Sequence, residues 1–113
     1  MANDWRLIVH KNKLPSLAER AKPFARTLVA KSAYEIEGRA KVKAPVDTGN
    51  LRNSINTDIV NNGLTGIIHA AAEYAAYVEF GTKRMSAQPY MLPAFREVEP
   101  EFIKAWSELA SRF

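Results

Sequence analysis

The sequence predicts an α+β fold, in which a long, kinked N-terminal helix and a C-terminal helix pack on a small antiparallel sheet centred on a β-hairpin. Three observations support this fold class. Apolar residues recur at helical spacing over residues 17–40 and again over residues 95–109. Between these runs, apolar and polar residues alternate from Leu51 to Val60. Asn62-Gly63 follows this alternation and is the dipeptide most typical of a tight hairpin turn.

The composition is that of an ordinary globular domain and excludes two kinds of site. The chain has 113 residues, 47% of them hydrophobic and 25% charged, so we expect a single domain with one core. It contains no cysteine, which excludes disulfides and thiolate metal sites. No apolar run has the length of a signal peptide or a membrane span, so we expect a soluble protein made in a cytoplasm.

The N-terminal half is predicted to contain one extended segment and the long helix. Residues 4–11 are rich in β-branched and aromatic side chains, which favours an edge strand or an extended arm within residues 1–13. The helix opens at Pro15, and Pro23 either kinks it or separates a short helix from a longer one ending near Lys43. Its predicted apolar positions are Leu17, Ala21, Phe24, Ala25, Leu28, Ser32, Ile36 and Ala40.

The joint between the long helix and the hairpin consists of Pro45, Asp47, Thr48 and Gly49. Pro45 disfavours helical geometry in the residue before it, which ends the helix. We expect Gly49 to adopt a positive φ, which other residues resist. A strand should follow from Leu51 to Val60, with its odd-numbered residues facing the core. Within that core, we expect Leu51, Ile55 and Ile59 to meet Leu28, Ile36 and Trp106.

The C-terminal half is predicted to begin with the return strand of the hairpin, from Leu64 to Ala70. A short helix from Glu73 to Phe80 should end at Gly81, which can serve as its C-cap. Residues 82–89 should form an exposed loop, because they are polar and end in Pro89.

The last helix is predicted to begin near Pro93. Pro100 lies inside the run, so we expect the helix to kink or restart near Glu99. The predicted apolar stripe of this helix is Phe95, Val98, Phe102, Ile103, Trp106 and Leu109.

The sequence offers little catalytic chemistry. Neither His10 nor His69 has a second ligand at metal-binding spacing, and the carboxylates are scattered along the chain. We expect His69 to be a half-buried, hydrogen-bonded residue of the hairpin. We therefore expect a protein that is not an enzyme, with no cofactor and no metal.

Two features point to binding instead. Basic residues outnumber acidic ones along the long helix, which is more typical of a solvated face than of a nucleic-acid site; they are Arg20, Lys22, Arg26, Lys31, Arg39, Lys41 and Lys43. Aromatic residues are dense from Tyr74 to Phe95, and most are expected in the core. The exposed loop beside them should be mobile in an isolated subunit and suits a protein partner. Its predicted interface residues are Lys83, Arg84, Met85, Ser86 and Gln88.

Three stretches of the chain carry a family resemblance. They are residues 44–55 (APVDTGNLRNSI), 74–82 (YAAYVEFGT) and 88–95 (QPYMLPAF). In this order and at this spacing, the chain resembles the head–tail joining family (neck or tail-completion proteins) of long-tailed bacteriophages and their prophages. The residues that carry the pattern are Pro45, Asp47, Thr48, Gly49, Leu51, Arg52, Tyr77, Phe80, Gly81, Pro89, Pro93 and Phe95.

The resemblance implies a virion-assembly protein without catalytic activity, made in the host cytoplasm and placed at the junction of head and tail. Its expected partners are further copies of itself in a ring and the neighbouring connector and tail proteins, with no membrane contact and no direct DNA binding. A ring requires contacts between two different faces of the subunit, for which the loop and residues 1–13 are the natural candidates. The alternative is a small basic nucleic-acid-binding module that uses the long helix. An enzyme of another type would need a deep pocket with convergent polar groups.

Overall fold

The computed structural model describes residues 5–10, 21–45 and 50–112 of the chain. In chain order, the elements of these residues are β1 (Trp5–His10), α1 (Lys22–Lys43), α2 (Asn50–Asn53), β2 (Ile55–Val60), β3 (Thr65–Ala70), α3 (Ala75–Phe80) and α4 (Met91–Arg112). The predicted α+β class is confirmed, with long helices in the N-terminal and C-terminal regions and an antiparallel hairpin between them.

The described strands form one antiparallel sheet in the order β1-β3-β2. β3 lies in the middle, where Ile68 is opposite Leu7 of β1 on one side and opposite Thr57 of β2 on the other. For the N-terminal residues, the sequence predicted either an edge strand or an extended arm. In the structure, residues 5–10 form an edge strand that pairs with β3 along its whole length.

The hairpin turn depends on three residues with left-handed backbone geometry. Asn61, Asn62 and Gly63 have φ values of 55°, 56° and 86°. Asparagine and glycine tolerate this region better than other residues, which explains why the turn lies here. The side chain of Arg26 crosses to the turn, and its Nε donates a hydrogen bond of 2.6 Å to the carbonyl oxygen of Asn62. The tip of the hairpin is thus tied to the start of α1.

Helix α1 lies across the inner face of the sheet at Gly66. A Cβ atom placed on Gly66 would come 2.7 Å from Cβ of Ala33, so only glycine allows the helix this close. Ile55 and Ile68 face the same side and are fully buried. The alternation predicted for the hairpin is therefore correct along β2 and β3.

Helix α4 packs along α1, and their buried faces join the inner face of the sheet in one hydrophobic core. The six residues expected to meet in the core all belong to it or pack against it: Leu51, Ile55, Ile59, Leu28, Ile36 and Trp106. Phe102 and Trp106 stack with their ring centres 6.2 Å apart. The core of the small domain therefore lies between one face of the sheet and two long helices.

The strand predicted from Leu51 begins four residues later, because residues 50–53 form the single helical turn α2. Two polar contacts favour the turn over a strand. The hydroxyl of Ser54 donates to the carbonyl oxygen of Leu51 at 2.7 Å, and Nε of Arg52 donates to the carbonyl oxygen of Lys41 at 2.9 Å. The second bond satisfies a carbonyl in the last turn of α1, where helical partners are missing.

The prolines of the two long helices behave differently from each other. Pro23 lies in the first turn of α1, the longer helix predicted after it, where its missing N–H removes no helical hydrogen bond. Pro100 lies inside α4, which continues through it as one helix of 22 residues, so the predicted restart near Glu99 is wrong. Val98 and Phe102 are buried on either side of Pro100, and their packing offsets the missing bond.

Two residues of the predicted apolar stripes face solvent instead. Phe24 of α1 and Ile103 of α4 are both about half exposed. Ala25 lies next to Phe24 and is buried, and Phe102 lies next to Ile103 and is buried. The buried stripe of each helix is therefore narrower than predicted. The prediction of a positive φ at Gly49 falls outside the described residues, as do Asp47 and Thr48.

Candidate protein interface

The buried carboxylate of Glu79 connects α3 to the beginning of α4. Glu79 is only 2% exposed. Its Oε1 accepts hydrogen bonds from the backbone N–H groups of Tyr90 at 3.2 Å and Met91 at 2.9 Å, and its Oε2 accepts one from Leu92 at 3.2 Å. The first N–H groups of a helix have no partner within the helix, and a negative charge is favoured at this end. Glu79 therefore acts as an N-terminal cap for α4 that is supplied by another helix.

Tyr90 adds a second connection between α3 and α4. Its ring is fully buried, and its hydroxyl donates a hydrogen bond of 3.0 Å to the carbonyl oxygen of Ala75. Burial, and then the nearby charge of Glu79, raise the pKa of the Tyr90 hydroxyl well above its ordinary value. Tyr90 therefore stays neutral and keeps donating this bond at neutral pH.

The loop of residues 82–89 is exposed throughout but is held at both ends. At its start, Gly81 has a φ of 78° and donates its N–H to the carbonyl oxygen of Tyr77 at 2.7 Å. At its end, the N–H of Gln88 donates to the carbonyl oxygen of Val78 at 2.8 Å. Inside the loop, the N–H of Thr82 donates to the carbonyl oxygen of Met85 at 2.8 Å. These bonds restrict the loop more than its sequence suggested, while its mobility stays a prediction.

Three of the five aromatic residues from Tyr74 to Phe95 are exposed, although most of the five were expected in the core. Tyr77 and Phe80 are each 56% exposed, and Tyr74 is 38% exposed. The prediction was wrong because α3 has only six residues and directs Ala75, Val78 and Glu79 inward, which leaves no inward position for the aromatic rings. Further along the chain, Tyr90 is buried and Phe95 packs against the core, as predicted.

Tyr74 and Tyr77 line a groove that lies between α3, the loop, α2 and Pro45, which follows the end of α1. The groove has a volume of about 360 Å³ and a mainly apolar lining. Its lining residues are Pro45, Leu51, Tyr74, Tyr77, Val78, Thr82, Met85 and Gln88. We call this surface the α3 groove. It brings together residues from all three stretches that carry the family resemblance, although these stretches are separate in the sequence.

Only some of the predicted interface residues line the α3 groove. Met85 and Gln88 do so, whereas Lys83, Arg84 and Ser86 are exposed on the loop outside the lining. Among the described residues, the ion pairs include neither Lys83 nor Arg84. The loop therefore presents two unpaired positive charges next to an apolar groove.

The remaining motif residues have structural positions. Arg52 bonds to the last turn of α1, Gly81 caps α3, and Pro93 lies in the first turn of α4. Pro89 is exposed and directly precedes the N–H groups that Glu79 binds. The role of Glu79 was missed in the sequence, where the signal was a single carboxylate at a position of α3 that is otherwise apolar.

A family model described as "Bacteriophage HK97-gp10, putative tail-component" matches residues 9–81 of the chain. This range is well over half of the 113 residues. The chain belongs to this HK97-gp10-like family. No curated protein and no solved structure shows significant similarity to it.

Membership of the HK97-gp10-like family makes the chain a structural phage protein of the virion, where it contacts other virion proteins. The matched range includes α1, the hairpin and α3, and it ends at Gly81. The loop of residues 82–89 and α4 lie beyond the match. The family match therefore gives no support for a role of the loop, and any such role has to be argued from the structure of this chain. In the described residues, no helix is long and apolar enough to cross a membrane.

Three basic residues in the second half of α1 of this HK97-gp10-like protein are paired with carboxylates. Arg39 bonds to Glu97 at 3.0 Å and to Glu35 at 2.7 Å. Lys43 lies 2.5 Å from the second oxygen of Glu97, and Lys41 lies 3.1 Å from Glu37. The pairs with Glu97 connect α1 to α4, and all of these pairs together neutralise much of the positive charge in the second half of α1.

The pKa values of this network follow from its hydrogen bonds. The bonds to Glu97 and then Glu35 raise the pKa of Arg39 above its ordinary value. The bonds from Lys43 and then Arg39 lower the pKa of Glu97 below its ordinary value. In the second half of α1, the predicted basic face is therefore a set of ion pairs. Arg20, which was also assigned to that face, falls outside the described residues.

The histidine of the hairpin also has a partner. Nε2 of His69 lies 3.1 Å from Oδ2 of Asp58 on the neighbouring strand, and the His69 side chain is about one quarter exposed. A half-buried, hydrogen-bonded histidine was the expectation for this residue. In the described residues, no group of His, Asp or Glu side chains is arranged to hold a metal ion.

Proposed function

We propose that this chain is a virion-assembly protein of the phage head–tail junction, which works through protein–protein contacts and has no catalytic activity. Membership of a phage tail-component family supports a structural role. The resemblance to head–tail joining proteins favours the junction as its place in the virion. The further proposal of a ring of identical subunits follows from that resemblance.

The observation that carries the proposal is the position of the α3 groove next to the exposed loop. Exposed aromatic side chains cost free energy in water, and contiguous apolar surface is typical of protein interfaces. Glu79 holds α3 in place with three backbone hydrogen bonds, so the exposed rings of Tyr74 and Tyr77 belong to a fixed surface. A fixed interface loses less conformational entropy on binding than a mobile one.

The alternative, a small basic nucleic-acid-binding module, has weaker support. A phosphate-binding face needs several free lysine and arginine side chains, since each phosphate contact releases a counterion. In α1, Arg39, Lys41 and Lys43 are already paired with carboxylates. If this alternative were correct, affinity for DNA would fall steeply with salt concentration.

The test is replacement of the three central loop residues in an infection-complementation assay. Lys83→Ser, Arg84→Ser and Met85→Ser are combined in one chain, which is supplied to a phage that lacks its own copy. We expect filled heads and finished tails that fail to join, seen by electron microscopy. The melting temperature should stay nearly unchanged, because all three side chains are exposed.

A matched control removes two cations and one exposed apolar side chain from another surface. Arg96→Ser, Ile103→Ser and Lys104→Ser make the same kind of change on the outer face of α4. This control should support normal joining of heads and tails. Normal phage titre from the loop variant would contradict the interface. A large loss of melting temperature in that variant would show that the loop contributes to the core instead.

A further inference from the structure

The α3 groove combines apolar walls with an unpaired positive charge at its edge. Tyr77, with more than half of its surface exposed, and Met85 stand at the walls, and Leu51 is buried behind them. Lys83 and Arg84 follow directly after the lining residue Thr82. An occupant that complements both parts needs a bulky apolar side chain for the groove and carboxylates for the cations.

We infer that the α3 groove binds a short acidic segment of a different virion protein, with one bulky apolar side chain placed in the groove and flanking carboxylates paired with Lys83 and Arg84. The inference rests on the proposed function, which makes this surface an interface. It goes further by naming the chemistry of the partner.

The charges of the chain disfavour a second copy as the occupant. The most exposed apolar side chain of α1 is Val42, at 79%. The two carboxylates that line the same cleft are already bonded, Glu97 to Arg39 and Lys43 and Glu35 to Arg39. A second copy docked through this part of α1 would fill the groove but bring no free carboxylate for the loop cations.

The arrangement of the positively charged side chains disfavours single-stranded nucleic acid as the occupant of the groove. Proteins that bind single strands combine stacking rings with a row of cations that follows the phosphates. Lys83 and Arg84 are adjacent in the chain, and the nearby basic residues of α1 are paired. Two adjacent cations suit one or two carboxylates better than a run of phosphates.

The test uses the full chain and short synthetic peptides, with binding measured by isothermal titration calorimetry. The probe has a central phenylalanine flanked by glutamates. One comparison peptide replaces the glutamates with lysines, and a second replaces the phenylalanine with serine. We expect binding of the probe only, and weaker binding as salt is added, because the charges at the edge are exposed to solvent. A short oligothymidylate tests the nucleic-acid alternative in the same format.

Variants of the groove and of its edge separate the two parts of the inference. Tyr77→Ser should weaken binding of the probe by about tenfold, as for a central interface aromatic. Lys83→Ser combined with Arg84→Ser should weaken binding and remove most of its dependence on salt. Ile103→Ser combined with Lys104→Ser, on the outer face of α4, should leave binding unchanged. Equal binding of the glutamate and lysine peptides, or tighter binding of oligothymidylate, would overturn the inference.

A cross-linking experiment identifies the occupant in assembled particles. A benzophenone amino acid replaces Tyr77, and the cross-linked segment is sequenced by mass spectrometry. An acidic segment with an apolar residue, from another virion protein, supports the inference. A cross-link to the same chain, or no cross-link, overturns it. If the loop variant fails to join heads to tails while the probe does not bind, the proposed function stands and only the acidic partner is wrong. If the probe binds while the loop variant still joins heads to tails, the acidic ligand of the groove stands and the proposed function at the head–tail junction is wrong.

Discussion

The two ends of the hydrophobic core are held together in different ways. At the sheet, α1 approaches so closely that Gly66 cannot carry a side chain, and Ile55 and Ile68 are fully buried beneath the helix. At the α3 groove, a single buried carboxylate and a buried tyrosine hydroxyl hold α3 against α4. The first region therefore depends on apolar packing, and the second depends on a few directed hydrogen bonds.

This difference shows how a small domain can keep aromatic side chains exposed. If apolar burial alone held α3, then Tyr77 and Phe80 would be the side chains to bury. Because Glu79 positions α3 through backbone N–H groups, the inward positions of the helix do not have to be aromatic. The ring of Tyr77 stays exposed at the groove, and each region can be tested by a change that affects it alone.

The largest effect is expected at the sheet. Ile55→Ala should lower the free energy of unfolding by about 2–5 kcal/mol, since it removes a fully buried side chain and leaves a cavity. Denaturant unfolding followed by circular dichroism measures this change. A loss well below this range would show that the sheet end is packed more loosely than its burial indicates.

The anchor at Glu79 should come next. Glu79→Ala should lower the free energy of unfolding by about 2–3 kcal/mol, because backbone N–H groups at the start of α4 lose a charged acceptor in a buried place. Glu79→Gln keeps the shape and one acceptor oxygen, so it should cost less. Hydrogen exchange should show faster opening at the start of α4 and little change in β3. Equal effects in both places would mean that the two regions unfold as one unit.

A smaller effect, with a defined pH dependence, is expected at Glu97, which joins α1 to α4. Folding lowers its pKa, so its contribution is present above the ordinary glutamate pKa of 4.5 and is lost as the pH falls through the lower folded value. Glu97→Gln should therefore destabilise the protein at neutral pH, and the difference from the parent chain should shrink in acid. Denaturant unfolding of both chains at neutral pH and in acid measures this difference in the free energy of unfolding. A difference independent of pH would mean that the charge of Glu97 contributes nothing.

The smallest effect on stability is expected at the α3 groove. Tyr77→Ser should change the free energy of unfolding by no more than about 0.5 kcal/mol, as is usual for exposed positions. The same variant should lose the interface function in the complementation assay. A large loss of stability would remove the contrast between the two regions.

The sequence predicted the packed region better than the groove. The alternation around Ile55 and Ile59 and the asparagine and glycine residues of the turn are local signals, and each was read correctly. The start of β2 was missed because Leu51 and Ile55 are four residues apart, a spacing that faces the core whether the chain is a strand or a helical turn followed by a strand.

The features of the groove depend on contacts between distant residues. Glu79 reaches Tyr90 and Met91, more than ten positions later, and no local pattern shows such a bond. Without that bond, the density of aromatic residues around Tyr77 is most simply explained by a core. That Lys83 and Arg84 lie outside the described ion pairs also becomes apparent only in the folded chain, where Glu35 and Glu97 pair with Arg39 and Lys43 instead.

The Glu79 anchor has a mechanical consequence for a virion protein that contacts other virion proteins. A pull on the loop passes through Gly81 and Gln88 into α3, and through the Glu79 carboxylate into the first turn of α4. From α4 it reaches α1 through the ion pairs of Glu97. We therefore expect tension at the surface to spread over two long helices rather than to concentrate in the loop, so that a small domain can bear load without opening its core.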